Sequence, residues 1–563
     1  MNNNLDFTSI LSNSKNLPDI LEFYKKNFPK KKFLFKKYDS KWVGDSFEEI
    51  NLRVNKIISV FQSLGIKRSD RILLLSSNRI EWVEFDIAIM GAGAISVPSF
   101  VTNNEDDNTF IIKDSNPKIV ILEDDHIFRK NQSCLKDFDS KRVITIEKSS
   151  SFLDYKQIIS QKPKKIIKPT VKKNDVSTII YTSGTSGNPK GVVLSHKAIL
   201  DNLNSALDII GEFGINEERF ISFLPLSHSY ERMAGLYFPM LINAEIYFCT
   251  SLEKLLYELK EVKPTIFSAV PRLYENIYKK VKKRFIGSNQ VKNKIFDMIF
   301  KYIRNENKIS INYLLGKILV QTLLTKKIKN MFGGNIKALI SGGAALNPEI
   351  GLFFNKIGFF LLQGYGQTEA SPLISCNTKS KNDARTVGFP VKNVKVKISN
   401  QNEILVKGNN VMLGYWKNKK LTNETIKKNW LHTGDLGFFD NKGRLIINGR
   451  KKDLIVTSGG DNISVQKIEN ILTEQVGIDQ AVIFGDNKPY LVALLYSEEK
   501  LDDSKIKLIL RFTNSKLNSV EKIRKYILLN KPLTYEDGFL TQTQKIKKRE
   551  VYKFFKDKIE SLY

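Results

Sequence analysis

The chain has 563 residues, of which 42% are hydrophobic and 26% charged, so it is too long for one compact core and too apolar to be largely disordered. Its 89 Lys and Arg residues against 59 Asp and Glu residues give a formal net charge of +30. Such an excess suggests nucleic acid, anionic lipid or phosphorylated ligands as partners, but acidic residues interleave with the basic ones, which favours a compositional bias of the whole surface.

Several features bear on the cellular compartment. Residues 1–7 lack the apolar region of a secretory signal, and the mainly apolar part of the longest uncharged stretch, roughly residues 87–101, is shorter than the ~20 residues that a membrane span needs. Cys134, Cys249 and Cys376 are widely spaced, which argues against a disulfide framework. The four histidines lack the His-x-x-x-His spacing of a zinc site. We therefore expect a cytoplasmic protein.

Strand-like and helix-like segments alternate along the first part of the chain. Residues 71–76 and 118–123 are short apolar runs that predict buried strands, and residues 93–98 predict another. Residues 82–90 predict a helix between two of these strands. The alternation predicts an α/β fold.

Residues 275–329 have a different character, with apolar residues at helical spacing and many lysines between them. Ile277, Val281, Ile299 and Ile303 belong to this pattern. A helical pair packed on the main domain would explain it, and so would a surface that meets an anionic membrane. Amphipathicity is the norm for globular helices, which favours packing.

A second change occurs near Arg450, where glycine-marked loops give way to short alternating helices and strands. This change predicts a domain boundary, with an N-terminal domain over residues 1–451 and a small C-terminal domain over residues 452–563.

The strongest chemical signal lies in residues 181–192, between a predicted strand at 177–180 and a predicted helix start at 194–200. Its glycines let the backbone approach an anion, consecutive N–H groups form a nest, and the hydroxyls and one lysine add donors. The residues concerned are Thr182, Ser183, Gly184, Thr185, Ser186, Gly187 and Lys190. Lys190 is followed by glycine instead of Ser or Thr, so this is not a Walker loop. The pattern predicts a triphosphate-binding loop, with a Gly/Ser-rich turn as the alternative.

This loop resembles the phosphate-binding signature of the adenylate-forming, or AMP-binding, superfamily, which includes acyl-CoA synthetases and peptide-synthetase adenylation domains. Further motifs follow in the family's order, at residues 341–346, 363–369, 430–435 and 449–453. The resemblance extends over nearly the whole chain, from about Phe33 to Tyr563. It implies an α/β fold with a large multi-sheet N-terminal domain and a small, mobile α+β C-terminal domain.

The resemblance also implies a nucleotide site. Gly343 and Ala344 would lie on the adenine side, and the segment that meets adenine and the α-phosphate would comprise Gly364, Tyr365, Gly366 and Thr368. Glu369 and Thr185 offer hard oxygen ligands for Mg²⁺. Asp435 would accept hydrogen bonds from the ribose hydroxyls, and Arg450 would donate near the ribose and phosphates. Core packing of Tyr365, an Asx turn at Asp435 and a surface salt bridge at Arg450 are the alternatives.

Further residues are implied in catalysis and domain motion. The loop at 540–549 is similar to the family loop that carries the adenylation lysine, which here is Lys545, although Gln542 replaces the usual proline. Lys547, Lys548 and Arg549 are alternative cations. His228 would lie near the acyl carboxylate, or would be structural. The hinge would be Lys452, with Gly459 and Gly460 beside the CoA arm.

The sequence between residues 270 and 341 is most similar to that of bacterial long-chain fatty-acid–CoA ligases. The resemblance implies ATP, Mg²⁺ and CoA as cofactors and a fatty acid as substrate, with an acyl-adenylate as intermediate. An acyl-carrier-protein acceptor, another carboxylic acid, and a basic nucleotide- or nucleic-acid-binding protein are the alternatives. We expect no specific nucleic-acid partner, and reversible contact with the inner face of an anionic membrane stays open.

Overall fold

The computed structural model describes residues 5–162, 166–167, 169–182, 189–285, 290–303, 311–459, 461–499, 501–541 and 545–563. Its helices are α1 (Phe7–Asn13), α2 (Leu17–Asn27), α3 (Phe47–Ser63), α4 (Ile80–Gly91), α5 (Glu105–Ser115), α6 (Asp125–Lys130), α7 (Gln132–Leu135), α8 (Tyr155–Ser160), α9 (His196–Gly211), α10 (Ser229–Glu231), α11 (Phe238–Leu241), α12 (Leu255–Val262), α13 (Pro271–Phe285), α14 (Gln290–Ile303), α15 (Ile311–Leu319), α16 (Lys326–Met331), α17 (Pro348–Lys356), α18 (Lys419–Thr425), α19 (Val465–Thr473), α20 (Asp503–Ser515) and α21 (Lys548–Glu560).

The strands fall into several sheets. They are β1 (Lys32–Tyr38), β2 (Lys41–Ser46), β3 (Arg71–Leu75), β4 (Ile95–Ser99), β5 (Ile119–Leu122), β6 (Val143–Thr145), β7 (Leu153–Asp154), β8 (Val176–Thr182), β9 (Lys190–Ser195), β10 (Arg219–Ser222), β11 (Glu245–Phe248), β12 (Ile266–Ala269), β13 (Ala338–Ser341), β14 (Leu361–Gly366), β15 (Leu373–Cys376), β16 (Phe389–Pro390), β17 (Val394–Ile398), β18 (Glu403–Gly408), β19 (Gly414–Tyr415), β20 (Ile426–Lys427), β21 (Trp430–Phe439), β22 (Leu445–Arg450), β23 (Leu454–Val456), β24 (Asn462–Ser464), β25 (Gln480–Phe484), β26 (Leu491–Tyr496) and β27 (Ile523–Leu529).

The largest sheet has the order β19-β9-β8-β4-β3-β5-β6-β7. Strands β8, β4, β3, β5, β6 and β7 pair in parallel, and their apolar side chains are buried between helices on both faces, as parallel sheets require. The predicted strands at 71–76, 93–98 and 118–123 correspond to β3, β4 and β5, and the predicted helix at 82–90 is α4. The predicted α/β class is confirmed.

The phosphate-binding loop connects different elements from those that the sequence suggested. It joins β8 to β9, which pair antiparallel from Val176–Ser195 to Thr182–Lys190, so the loop does not run directly from a strand into a helix. Residues 191–194 extend β9, as their β-branched run favours, and Ser195 then caps α9 by accepting a 3.1 Å hydrogen bond from the Ala198 amide. The helix therefore begins within the predicted start at 194–200, and the unpredicted element is the strand β9 before it.

A second sheet places most of the remaining site segments. Its order is β12-β13-β14-β15-β16, with β12, β13 and β14 parallel. The carboxyl ends of β8, β12, β13 and β14 open on one cleft, which is the usual position of a ligand in sheets of this kind. A smaller sheet, β17-β18-β21-β20 with β22 beside β21, lies next in the chain.

The predicted helical segment at 275–329 forms α13, α14, α15 and α16, with a π-helical stretch between the last two. Ile277, Ile299 and Ile303 are buried in a common core with residues of α17, so the packing interpretation is confirmed for these side chains. No helix among the described residues is both long and apolar enough to cross a bilayer.

The C-terminal part has its own cores. The hairpin of β23 and β24, the sheet β25-β26-β27 and the helices α19, α20 and α21 enclose two separate apolar clusters. A large α/β N-terminal domain and a small α+β C-terminal domain are thus present, as expected from the sequence. The placement of their boundary between residues 451 and 452 stays a prediction.

Candidate active site

A cleft of about 2940 Å³ is lined by residues of both domains. Of the residues singled out from the sequence, it is lined by Thr182, His228, Gly343, Ala344, Gly364, Tyr365, Gly366, Thr368, Asp435, Arg450, Lys452 and Lys545. These residues come from positions 182 to 545 of the chain, and the fold brings them to one place. The cleft is therefore the candidate active site.

Asp435 is the centre of a buried polar group in the cleft. Strands β21 and β22 pair Asp435 with Arg450, and the Arg450 Nε lies 2.9 Å from Asp435 Oδ1. The Tyr365 hydroxyl donates a 2.7 Å hydrogen bond to Asp435 Oδ2. Burial, reinforced by the Asp435 charge, raises the pKa of Tyr365 well above its usual value, so the phenol stays a donor.

This geometry bears on the alternatives raised from the sequence. Asp435 lies within strand β21, so the alternative that it forms an Asx turn is wrong. Arg450 does form a salt bridge, but its partner lines the cleft, and the Asp435 charge raises the pKa of Arg450. Tyr365 is largely buried, yet its hydroxyl reaches the polar group of the cleft. A buried carboxylate held by two donors can orient a ligand's hydroxyls.

Glycines let the backbone form the wall of the cleft. A Cβ on Gly366 would lie 2.0 Å from the Pro372 carbonyl oxygen, so any side chain there would displace the backbone. Gly343 has a φ of +80°, in the left-handed region that other residues rarely adopt. Beside this wall, the hydroxyls of Ser229 and Thr368 lie 2.9 Å apart and share a hydrogen bond.

His228 caps the short helix α10, and its Nδ1 accepts a 3.1 Å hydrogen bond from the Tyr230 amide. Nδ1 is thereby engaged as an acceptor, which leaves Nε2 as the nitrogen that can contact a ligand. Burial, together with the charge of Lys545, lowers the pKa of His228 to about 4. The imidazole is therefore neutral at physiological pH, and the structural and ligand-contacting interpretations both remain compatible with its position.

Lys545 lies in the cleft close to the Asp435–Arg450 pair. Its side chain keeps contact with solvent, but protein atoms of both domains crowd around it, and this crowding together with the Arg450 charge lowers its pKa to about 8. Asp435 and Asp453 act in the opposite direction. A lysine here can neutralise negative charge that enters the cleft.

The alternative cations Lys547, Lys548 and Arg549 also line the cleft, but Lys547 and Lys548 interact with other carboxylates than Lys545 does. Lys548 forms a 2.8 Å salt bridge with Glu469, and the charge of Lys547 acts on Asp107. The two ends of the loop that carries Lys545 are joined, because Thr541 N–H donates to the Lys545 carbonyl at 2.7 Å and Lys545 N–H donates to the Thr541 hydroxyl at 3.0 Å. These two hydrogen bonds join Thr541 to Lys545, and Gln542 lies outside the described residues.

Glu369 is joined to the phosphate-loop strand by a residue that the sequence did not single out. The Tyr415 hydroxyl donates a 2.8 Å hydrogen bond to Glu369 Oε1, and the Lys190 ammonium lies 5.6 Å from the centre of the same ring. Burial and the nearby charge of Lys452 lower the pKa of Lys190, while Glu369 raises it. Tyr415 lies in no recognised motif and is 46 residues from Glu369, so only the fold reveals this contact.

Some predicted residues cannot be placed in this way. Ser183, Gly184, Thr185, Ser186, Gly187 and Gly460 lie outside the described residues. Gly459 lies in the turn between β23 and β24, away from the described lining of the cleft. The assignment of a CoA-side loop to this turn stays a prediction.

Comparisons with known proteins agree with this arrangement. The family described as "AMP-binding enzyme" matches residues 22–416, and "AMP-binding enzyme C-terminal domain" matches residues 452–563. A protein of Mycobacterium tuberculosis named "Long-chain-fatty-acid--CoA ligase FadD15" is 28% identical over 93% of each chain. "Long chain acyl-CoA synthetase 4" of Arabidopsis thaliana is 28% identical over 93% of this chain and 87% of its own length.

Solved structures share the fold at low sequence identity. A benzoate CoA ligase from Burkholderia xenovorans LB400 superposes with a TM-score of 0.75 at 19% identity, over 95% of this chain and 99% of its own. The adenylation domain of a carboxylate reductase from Mycobacterium chelonae superposes with a TM-score of 0.79 at 18% identity, over 99% and 92%. Since the family match covers more than half of the chain, this protein belongs to the AMP-binding enzyme family.

Proposed function

We propose that this protein is a long-chain fatty-acid–CoA ligase. In the first half-reaction a carboxylate oxygen of the fatty acid bonds to the α-phosphorus of ATP, and the bond from that phosphorus to pyrophosphate breaks. In the second, the sulfur of CoA bonds to the acyl carbon, AMP leaves with the oxygen, and the thiol proton passes to solvent. The net products are acyl-CoA, AMP and pyrophosphate.

The observation that carries the proposal is the position of Lys545 beside the Asp435–Arg450 pair, with His228 near enough for its pKa to respond to the lysine. In the proposed site Asp435 and Tyr365 orient the ribose, Arg450 donates near the phosphates, and Lys545 lies between the carboxylate and the α-phosphate. Such chemistry depends on positioning and charge neutralisation, without a covalent enzyme intermediate.

Magnesium belongs to the same proposal. Mg²⁺ is usually held by one or two carboxylates together with substrate phosphates, and the Glu369 carboxylate, oriented by Tyr415, offers such an oxygen ligand. Thr185 is the second proposed ligand. The Glu369 carboxylate therefore fits Mg²⁺, which would offset negative charge on the phosphates when bound.

The proposed preference for long chains rests on two observations. The two sequence relatives, from Mycobacterium tuberculosis and Arabidopsis thaliana, are named as long-chain enzymes. The described parts of α13, α14 and α16 share one apolar core with the cleft residues Leu346 and Ile350. Each buried CH₂ contributes ~0.8 kcal/mol, so kcat/KM should rise steeply with chain length until the site is full. A cytoplasmic location is part of the proposal.

The test is pyrophosphate release with acids from acetate to palmitate, followed by thioester formation with CoA or with holo acyl carrier protein. We expect release to increase with chain length and CoA to be the better acceptor. Equal or higher kcat/KM for acetate or for an amino acid would refute the substrate assignment. Salt-sensitive binding to DNA without ATP turnover would favour the basic nucleic-acid-binding alternative.

A further inference from the structure

One face of helix α15 is apolar and exposed. Ile311, Leu314, Leu315 and Ile318 follow the i, i+3, i+4, i+7 spacing of a single helical face, and 73%, 57%, 42% and 49% of their surfaces are accessible. Four large aliphatic side chains so exposed on adjacent turns form a contiguous patch, which water-facing helices rarely carry without a partner. We call these four residues the α15 patch.

The opposite face of α15 is fixed against the protein, so the patch cannot turn inward. A Cβ on Gly316 would lie 2.2 Å from the Met298 carbonyl oxygen, which shows how closely α15 approaches α14. The rings of Tyr313 and Tyr302 pack edge to face at 5.1 Å. Val320, directly after α15, is fully buried.

The surroundings of the patch are positively charged. Residues 311–337 contain five lysines and no acidic residue. Lys317 is exposed on α15 itself, and Lys326, Lys327 and Lys329 are exposed on α16, which continues the same helical run. An apolar face with a lysine-rich border is the pattern of a helix that lies in the interface of an anionic bilayer.

A comparable apolar pair elsewhere lacks this border. Leu508 and Phe512 are exposed one turn apart on α20, but Lys505 and Lys507 on that helix form ion pairs with Asp502 and Asp503. The combination of exposed apolar residues with a lysine-rich stretch that has no acidic residue between positions 311 and 337 thus distinguishes α15 from α20.

We propose that the α15 patch docks this protein on anionic lipid surfaces by shallow insertion. A second copy of the chain fits less well, because the basic borders of two copies would repel each other and one short helical face is far smaller than the ~800 Å² per partner of a stable interface. The core that holds α15 also contains the cleft residues Leu346 and Ile350, so docking would place the cleft's helical wall near the lipid.

The purpose of this docking rests on the proposed function, since long-chain fatty acids partition into bilayers. The surface itself rests only on the exposure and charge of α15. Its test therefore uses lipid binding, which does not depend on which acid is activated.

The experiment is vesicle flotation of the full chain with phosphatidylcholine vesicles, with and without about one-third phosphatidylglycerol. The variant Leu314→Gln/Ile318→Gln keeps good helix formers on the exposed face, and Leu508→Gln/Phe512→Gln is the matched control on α20. We expect binding to anionic vesicles only, about ten-fold weaker partitioning for the α15 variant, and no change for the control. Binding should also weaken at about 0.5 M NaCl, where charges are screened.

Three outcomes would overturn the proposal. The first is that the wild type binds neutral and anionic vesicles equally. The second is that the α20 control loses as much vesicle binding as the α15 variant. The third is that the wild type binds no vesicles but dimerises with increasing concentration, and the α15 variant does not dimerise. Pyrophosphate release with a water-soluble medium-chain acid, measured without vesicles, should be the same for the wild type and the α15 variant. If no acid supports pyrophosphate release, the proposed function is refuted, but the lipid-binding result is unaffected.

Discussion

Asn347 in the N-terminal domain donates a 2.5 Å hydrogen bond from Nδ2 to the Glu474 carboxylate in the C-terminal domain. Its Oδ1 meanwhile caps α17 by accepting a 2.8 Å hydrogen bond from the Glu349 amide. Lys279 and Lys282 of α13 add hydrogen bonds to the carbonyls of Ile478 and Glu474. These contacts hold the two domains in the arrangement that places Lys545 in the cleft.

Loss of the Asn347–Glu474 contact should therefore slow adenylation more than thioester formation. The variant Asn347→Asp keeps a good helix cap but replaces the donor by a second carboxylate. A hydrogen bond to a charged group contributes ~1.5–3 kcal/mol, so we expect adenylation to slow by roughly 10- to 100-fold. Single-turnover assays of the two half-reactions, in the wild type and the variant, measure how much each rate constant falls.

A swapped pair provides the control for this contact. In Asn347→Asp/Glu474→Gln the amide lies on the other domain and can donate back, so adenylation should recover. If the double variant stays as slow as the single one, the effect comes from α17 and not from the contact between the domains.

Lys545→Ala should slow adenylation strongly and leave the second half-reaction intact. Removal of one preorganised donor to developing charge costs ~10²–10³ in rate. Purified acyl-adenylate with CoA isolates the second step. Lys547→Ala removes the same charge from the same segment, near Asp107 instead of Asp435. Equal effects of the two variants would show that the assignment of Lys545 is wrong.

The lowered pKa of Lys545 predicts an alkaline limit to adenylation. The ammonium form is the one that offsets negative charge, and it is lost as the pH rises through about 8. The kcat/KM profile reports the free enzyme, so it should fall above that pH. His228, whose pKa is lowered to about 4, should add no limb between pH 6 and 7. In Arg450→Gln the fall in kcat/KM should move to higher pH, because the Arg450 charge that lowers the pKa of Lys545 is gone. If the fall stays at the same pH, a group other than Lys545 causes it.

Tyr415→Phe should raise the Mg²⁺ concentration needed for half-maximal adenylation. The lost hydroxyl orients Glu369 Oε1, and partners that orient metal ligands typically contribute ~10–100-fold in metal affinity. Tyr490→Phe is a matched control, because its hydroxyl bonds to the Leu562 carbonyl within the C-terminal domain. If Tyr415→Phe changes the adenylation rate but not the Mg²⁺ concentration needed, Tyr415 supports the structure of the cleft and does not act through the metal ligand Glu369.

The sequence predicted the residues of the cleft better than the contacts between them. Asp435 and Arg450 were identified as separate motif residues, but their pairing follows from the register of β21 and β22, which no local pattern encodes. Tyr415 reaches Glu369 through tertiary folding alone. The helix start predicted at residues 194–200 is confirmed, since α9 begins at His196, but strand β9 before it was not predicted, because a short apolar run such as 191–194 suits a buried strand as well as a helix. Periodicity predicted a helical pair in the segment 275–329, where the structure has four helices, and it could not tell which face of α15 is covered.

The last prediction concerns Lys452, which the sequence suggested as the hinge. It lies in the 3-10 turn Lys451–Asp453 and lines the cleft, and its charge lowers the pKa of Lys190. A substitution at this position thus changes both the backbone and the charge near the phosphates. Proline would fix φ near −65° and restrict the preceding residue, which opposes a rotation at this point.

Two variants separate the backbone from the charge. Lys452→Pro should leave adenylation within a few-fold of Lys452→Gln, because both remove the same ammonium. Only Lys452→Pro should slow the transfer of the acyl group to CoA, because in the proposed mechanism the C-terminal domain rotates and moves Lys545 away from the cleft before that step. Rapid-quench measurement of both half-reactions distinguishes them. If both variants slow the second step equally, the ammonium of Lys452 and not the backbone is responsible, and the hinge lies elsewhere between β22 and β23.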